Sequence, residues 1–192
     1  MHYIKNSFLF LFLSAGVLCA SSQDIVRFFS PEESGVIGDL FLSYNELSEN
    51  VIISQLHTIL IDQNKMNFFD RNTGETCLHR ACQFLKPEVV RWLIGNGARS
   101  YQDRGGRHPI HFVASKNIFD VFSDAELDIN VKNAANETLL DQTSRRMRNI
   151  LSSCANHNEE LDRNSPCHQR LREFGRYIKR FGAKRARELV KR

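Results

Sequence analysis

The sequence predicts an all-α fold, a solenoid of stacked helix-turn-helix units joined by hairpin turns and followed by a basic amphipathic helix. Three observations carry that expectation. The first is a recurring signature: Asp70-Arg71-Asn72-Thr73-Gly74-Glu75-Thr76-Cys77-Leu78-His79-Arg80-Ala81 lies in register with Asp103-Arg104-Gly105-Gly106-Arg107-His108-Pro109-Ile110-His111-Phe112-Val113-Ala114. The second is its regular recurrence, since His111 follows His79 by one period and a third copy, Asn136-Glu137-Thr138-Leu139-Leu140-Asp141, follows Gly106 by nearly the same interval. A fixed period of roughly thirty marks an array of stacked units. The third is the return of helical spacing in Leu171, Phe174, Ile178 and Phe181, opposite a run of Lys and Arg.

Residues 1–20 read as a signal peptide. His2 and Lys5 precede the apolar run Phe8 to Leu13, which continues to Leu18 before the small residues Cys19, Ala20, Ser21 and Ser22. The run from Phe8 to Leu18 falls short of the roughly 17 to 25 positions that a bilayer-crossing helix needs, so a cleaved leader is expected rather than an anchor. The protein is therefore expected to be exported, either periplasmic or secreted, with residues 21–38 as a lead-in.

Residues 39–69 form a divergent first unit, because Leu56-His57-Thr58-Ile59-Leu60-Ile61 stands one period before Val89-Val90-Arg91-Trp92-Leu93-Ile94. Gly74, Gly106 and Asn136 recur at one point of the turn, where positive φ costs glycine little and asparagine not much more. Thr76 and Pro109 suit the first turn of a helix, one as a cap and the other as a residue with no amide to lose. The outer helix of the second copy is expected to be shortened or irregular, because no glycine follows Phe122. The third copy, with Asp141 in place of the histidine, is expected to be a worn C-terminal cap of an array spanning residues 39–153.

These residues resemble the ankyrin repeat, whose period is about 33 and whose signature is T-P-L-H-x-A. The first full copy keeps Gly74, Thr76, Leu78, His79 and Ala81, then an outer helix and the exit Gly97-Ala98; the second restores the proline as Pro109 and keeps His111. The resemblance implies a non-catalytic module that binds another protein through its hairpin tips and concave helical face. It places the histidines in the helix-opening turn as structural residues. The candidate contact residues are Arg71, Glu75, Tyr101, Arg104, Arg107 and Lys132 at the tips, with Arg80 and Phe112 on the inner helices.

No nucleophile arrangement or glycine-rich phosphate loop stands out, so neither catalytic residues nor cofactors are assigned. Cys77, His79 and Cys82 are zinc-type ligands, but no second pair stands at finger spacing, and the two cysteines read as small packing residues. In an exported chain, Cys154 and Cys167 flank the polar linker 154–168 and are candidates for a disulfide.

Formal net charge is +4, but residues 168–192 hold ten Lys and Arg against Glu173 and Glu188, leaving the rest mildly acidic. The helix expected over 169–192 carries Arg176, Lys179, Arg180, Lys184, Arg185 and Arg187 as candidates for an anionic surface, with Leu189 and Val190 extending its stripe. It could cap the last repeat, or lie on an anionic membrane or in a partner's groove; nucleic acid stands last, since an exported protein rarely meets it.

Overall fold

The structure, a computed structural model, describes residues 27–43, 47–61, 64–156 and 166–189, excluding the side chains of 150–156. The expected leader lies outside the described residues, as do residues 21–26 of the lead-in and the centre of the expected linker. Among the described residues there are seven α-helices: α1 (Pro31–Leu42), α2 (Glu49–Leu60), α3 (Cys77–Gln83), α4 (Pro87–Gly95), α5 (Lys116–Asp124), α6 (Leu139–Asn156) and α7 (Pro166–Arg180). Short 3-10 turns occupy Pro109–Phe112 and Ala186–Glu188.

The helices stack in two layers. An inner layer runs α1, α3, the Pro109 turn and α6, while an outer layer runs α2, α4, α5 and α7, each element touching the next in its own layer. The described residues thus make four units, and the core is the seam between the layers. Phe41, Ile52, Leu56, Leu78, Leu93, Ile110, Phe119, Phe122, Leu139 and Ile178 are fully buried there. Removing one such side chain from water contributes roughly 1.5–3 kcal/mol, which short helices of 7 to 12 residues could not supply alone.

Local chemistry sets the ends of these helices. Ser30 and Glu33 form a capping box at α1, with the Glu33 amide donating to Ser30 Oγ at 3.2 Å and the Ser30 amide to Glu33 Oε2 at 2.9 Å. Glu49 at the start of α2 reaches across to accept from the Glu88 and Val89 amides at 2.8 and 3.2 Å, capping α4 from the neighbouring unit. All four outer helices end alike, with a residue at positive φ and a following amide reaching back five residues. These are Asn64 (54°) with Lys65 to Leu60 O, Gly97 (89°) with Ala98 to Leu93 O, Glu126 (54°) with Leu127 to Phe122 O, and Gly182 (88°) with Ala183 to Ile178 O.

That shared ending corrects three expectations. The outer helix of the second copy is neither short nor irregular: α5 has nine residues, as α4 does, and Glu126 takes the seat of the missing glycine. It is the inner element that shrinks. Eight residues separate His79 from Pro87 but only five separate His111 from Lys116, and the three missing residues are about one helical turn, so only a 3-10 turn fits. Arg146 of α6 covers the gap, donating to the carbonyls of His111 at 3.0 Å and Val113 at 3.5 Å.

The second correction concerns the array's extent. Helices continue past both expected bounds: α1 already starts at Pro31, and of the placements open to the basic helix the structure shows packing on the array, with α6 and α7 pairing as a fourth unit. Asn67 holds the exit of α4, donating to Gly97 O at 3.1 Å and accepting from the Arg99 amide at 2.8 Å. Asn130 repeats this on the exit of α7, with Gly182 O at 3.2 Å and the Lys184 amide at 2.7 Å. The third is the basic helix itself. It spans 166–180 instead of 169–192, because the chain reverses at Gly182, and Leu189 does not extend its stripe.

The hairpins are the tightest feature. Gly106 sits at φ 68°, and a Cβ there would lie 2.5 Å from the Cβ of Ala134 in the next hairpin. Gly106→Ala should therefore destabilise the fold by at least about 2 kcal/mol, seen as a lower urea midpoint. Gly35, in α1 with nothing within 4 Å, is the control: Gly35→Ala should be neutral or stabilising by up to about 1 kcal/mol.

Candidate protein-binding face

Three hairpins project beside the inner layer, each built on a polar residue at its first position. Asp70 Oδ1 accepts from the Asn72 and Thr73 amides at 2.9 and 2.8 Å and from the Thr73 hydroxyl at 3.0 Å. Asp103 Oδ1 accepts from the Arg107 amide at 2.8 Å, and Asn133 Oδ1 from the Glu137 amide at 2.8 Å. Burial pushes the Asp70 carboxyl upward, but these donors outweigh it and leave Asp70 below its ordinary range. Neighbouring hairpins are tied directly, with the Arg104 amide donating to Thr73 O at 3.0 Å.

Histidines join each inner turn to the hairpin beyond. The Thr76 amide donates to His79 Nδ1 at 3.0 Å, which leaves Nε2 to carry the proton and donate to Arg107 O at 3.1 Å. In the next unit the His108 amide donates to His111 Nδ1 at 2.9 Å, and Nε2 donates to Val131 O and Glu137 O, each at 3.2 Å. Asp141 takes the same register in α6, accepting from the Thr138 amide and hydroxyl at 3.2 and 3.1 Å and from the Ala186 amide at 2.8 Å. The aspartate thus keeps the inward half of the link. Since it can only accept, its outward partner is an amide rather than a carbonyl.

Three of the sequence-predicted contact residues converge on these hairpins. Arg107, at the foot of the second, pairs with Asp103 at 2.7 Å, lies 3.8 Å from Glu75 and places its guanidinium 4.5 Å from the centre of the Phe112 ring. Arg80 of α3 stands 3.8 Å from the other Glu75 oxygen and 4.0 Å from Asp70. Phe112 meets His79 edge-on at 5.8 Å. The patch is a half-exposed mix of guanidinium, carboxylate and aromatic surface crossing two units.

The other candidates are distributed differently. Glu75 is not an exposed tip residue but is buried at the hairpin base; burial raises its carboxyl above the ordinary range, and Arg80 and Arg107 offset part of that. Arg71 and Arg104 are exposed at adjacent tips, where Arg104 donates to Arg71 O at 2.6 Å. Tyr101 packs on Phe69 at 5.3 Å, and Lys132 is half-buried beside the third hairpin. Sequence reasoning passed over Asp70 and Asp103, whose shared place at the head of the aligned hairpins was the available signal. It also passed over the Arg145–Glu137 pair at 3.2 Å, which no periodic signal marks.

The remaining candidates lie elsewhere. Cys77 and Cys82 face the core, where burial pushes the Cys77 thiol up to about 12 and the Cys82 thiol upward as well. Cys167 is an exposed free thiol in the first turn of α7 and so makes no bridge in this structure; the Cys154 side chain lies outside the described residues. Arg176, Lys179, Arg180, Lys184 and Arg187 are exposed, while Arg185 is half-buried and donates to Ser144 Oγ at 3.3 Å. Among the described residues, no helix is long and apolar enough to cross a membrane.

Two layers of short helices with stacked hairpins define a helical-repeat solenoid, a scaffold that presents an extended surface. Residues 73–101 match the ankyrin-repeat family. Over 85 residues the chain is 31% identical to oxysterol-binding protein homolog 1 of Saccharomyces cerevisiae, a stretch covering 44% of this chain and 7% of that protein's length.

The histidine links make the fold sensitive to acid. Burial lowers the His79 imidazole to about 4, and a proton on Nδ1 would also face the Thr76 amide. The unfolded chain, with an ordinary histidine near 6.5, then binds more protons between those values. Stability is complete above pH 6.5 and should fall by on the order of 3 kcal/mol towards pH 4. Urea titrations across that window should show the drop, and His79→Gln should flatten it.

Proposed function

We propose that this protein is an exported, non-catalytic interaction module that holds a partner protein against its hairpins and inner layer. The observation that carries the reading is the single patch formed by Arg80, Arg107 and Phe112 around the buried Glu75, with Asp103 holding Arg107 in place. A pre-positioned arginine stacked on an aromatic ring loses little side-chain freedom on binding, which favours it as an anchor. Arg71 and Arg104 at the tips give the same face a positive rim suited to a partner with acidic side chains.

The second function class read from the sequence, an anionic membrane met through the basic helix, has less support. An interfacial helix needs a free apolar side, and α7 has Phe174 and Ile178 buried among α5 and α6. The yeast relative is named for oxysterol binding, but the shared stretch is 7% of that protein and brings no sterol chemistry to this chain.

A photo-crosslinking amino acid placed at Phe112, in cells expressing the full chain, should capture a discrete partner that the same probe at Gln55 on the outer layer does not. Adding Arg107→Ala should reduce capture at Phe112 by about tenfold or more, the effect of losing a central anchor. Capture from Gln55 alone would overturn the reading. Export is tested separately by fractionation and intact mass: loss of a segment close to residues 1–20 in an exported fraction is expected from the leader pattern. A full-length cytosolic species would exclude it.

A further inference from the structure

The two ends of the array carry opposite charge. Residues 31–61, which include α1 and α2, hold five acidic residues and no Lys or Arg, whereas residues 166–189 hold eight Lys and Arg against Glu173 and Glu188. Some of the acids are already engaged: Glu33 pairs with Lys65, and Glu49 caps α4. Glu32 and Asp39 stand outside those contacts, and with Val36 they form an exposed stripe on α1 at spacings of four and three. The stripe lies opposite Gly38 and Phe41, which face Arg80 and Phe84 of the second unit, so it looks out from the open end of the array. Val36 is 54% exposed, and Leu42 of α1 and Val51 of α2 are 65% and 40% exposed.

At the other end, Arg172, Arg176 and Lys179 are exposed on α7 at the same spacings of four and three. They lie opposite Phe174, Tyr177 and Phe181, which meet Phe119 of α5, and so look out from the last unit; Arg148 of α6 is exposed as well. Each stripe runs along two helical turns, about 10 Å, with its members at matching intervals. The acidic end flanks an apolar residue, while the basic stripe offers long side chains whose methylene stems can cover it.

We propose that a second copy of this chain docks on the first head to tail, the acidic α1 end of one array seating on the basic α6–α7 end of the next. The contact crosses layers, since α1 belongs to the inner layer and α7 to the outer, so what recommends it is the match of charge and spacing between the two stripes. The two surfaces differ, so the contact is heterologous and leaves each dimer with one free end of each kind; copies add in series and do not stop at two. The attraction between exposed charges makes the contact weak and dependent on salt.

Sedimentation and light scattering of the full chain at low ionic strength should show average mass rising with concentration past the dimer and returning to the monomer near roughly 0.5 M salt, where exposed charges are screened. Glu32→Gln/Asp39→Asn neutralises one end, and Arg172→Gln/Arg176→Gln/Lys179→Gln neutralises the other. Each variant alone should be monomeric with unchanged circular dichroism. Mixed in equal amounts, they should form a capped 1:1 dimer, because each still carries the end the other needs.

Three outcomes would overturn the proposal. They are a wild-type chain that stays monomeric at every concentration, association that persists in both variants, and variants that fail to pair when mixed. Vesicles containing anionic lipid that bind the wild type, lose the Arg172/Arg176/Lys179 variant and leave the protein monomeric would assign the basic end to a membrane instead.

Discussion

Everything in this array depends on one link, in which a buried neutral imidazole accepts an amide from its own helix start and donates to a carbonyl of the next hairpin. Without it, the hairpin carbonyls facing the inner layer would be buried polar groups lacking a donor, at a cost of about 1–3 kcal/mol each. The link also fixes orientation. Because Nδ1 of His79 is held by Thr76, only one tautomer fits, and Nε2 points at one carbonyl, that of Arg107. Arg107 is the residue whose side chain then pairs with Asp103 and covers Phe112. The structural histidine and the candidate contact arginine are therefore two ends of the same short stretch of backbone.

Much of this was legible in the sequence, and the reasons are local. Gly74, Gly106 and Asn136 are spelled by a backbone requirement that few residues meet, and all three adopt positive φ. His79 and His111 recur because a single side chain must both accept and donate at that point. The exit of α7 was legible too, since Phe181-Gly182-Ala183 repeats the Asn96-Gly97-Ala98 pattern, and reading it would have placed the basic helix inside the array. What concealed it was the charge, which drew attention to solvent partners, and the long stretch between α6 and α7, which breaks the period.

Other features were beyond reach. The absence of a glycine after Phe122 suggested a damaged outer helix, but Glu126 occupies the left-handed region at a modest local cost that the buried Ile118, Phe119, Val121 and Phe122 outweigh. The true loss was three residues from the inner turn, whose compensation by Arg146 is a contact across 33 and 35 residues that no spacing rule anticipates. Glu75 was read as a tip residue because hairpin residues are usually solvated. Its burial comes from the adjoining hairpin and α3, which only the stacked arrangement supplies.

The shortened inner turn also orders events in time. Units one and two have complete inner helices and can pair as soon as both have left the ribosome, but the Pro109 turn presents bare carbonyls at His111 and Val113 until Arg146 arrives. The third unit must wait, unfinished, while roughly thirty further residues are synthesised, a delay of seconds at ordinary elongation rates. During that interval the nascent chain exposes the apolar side of α5, with Phe119 uncovered until α7 follows. The three-residue omission near the middle of the chain thus ties completion of the third unit to the arrival of α6.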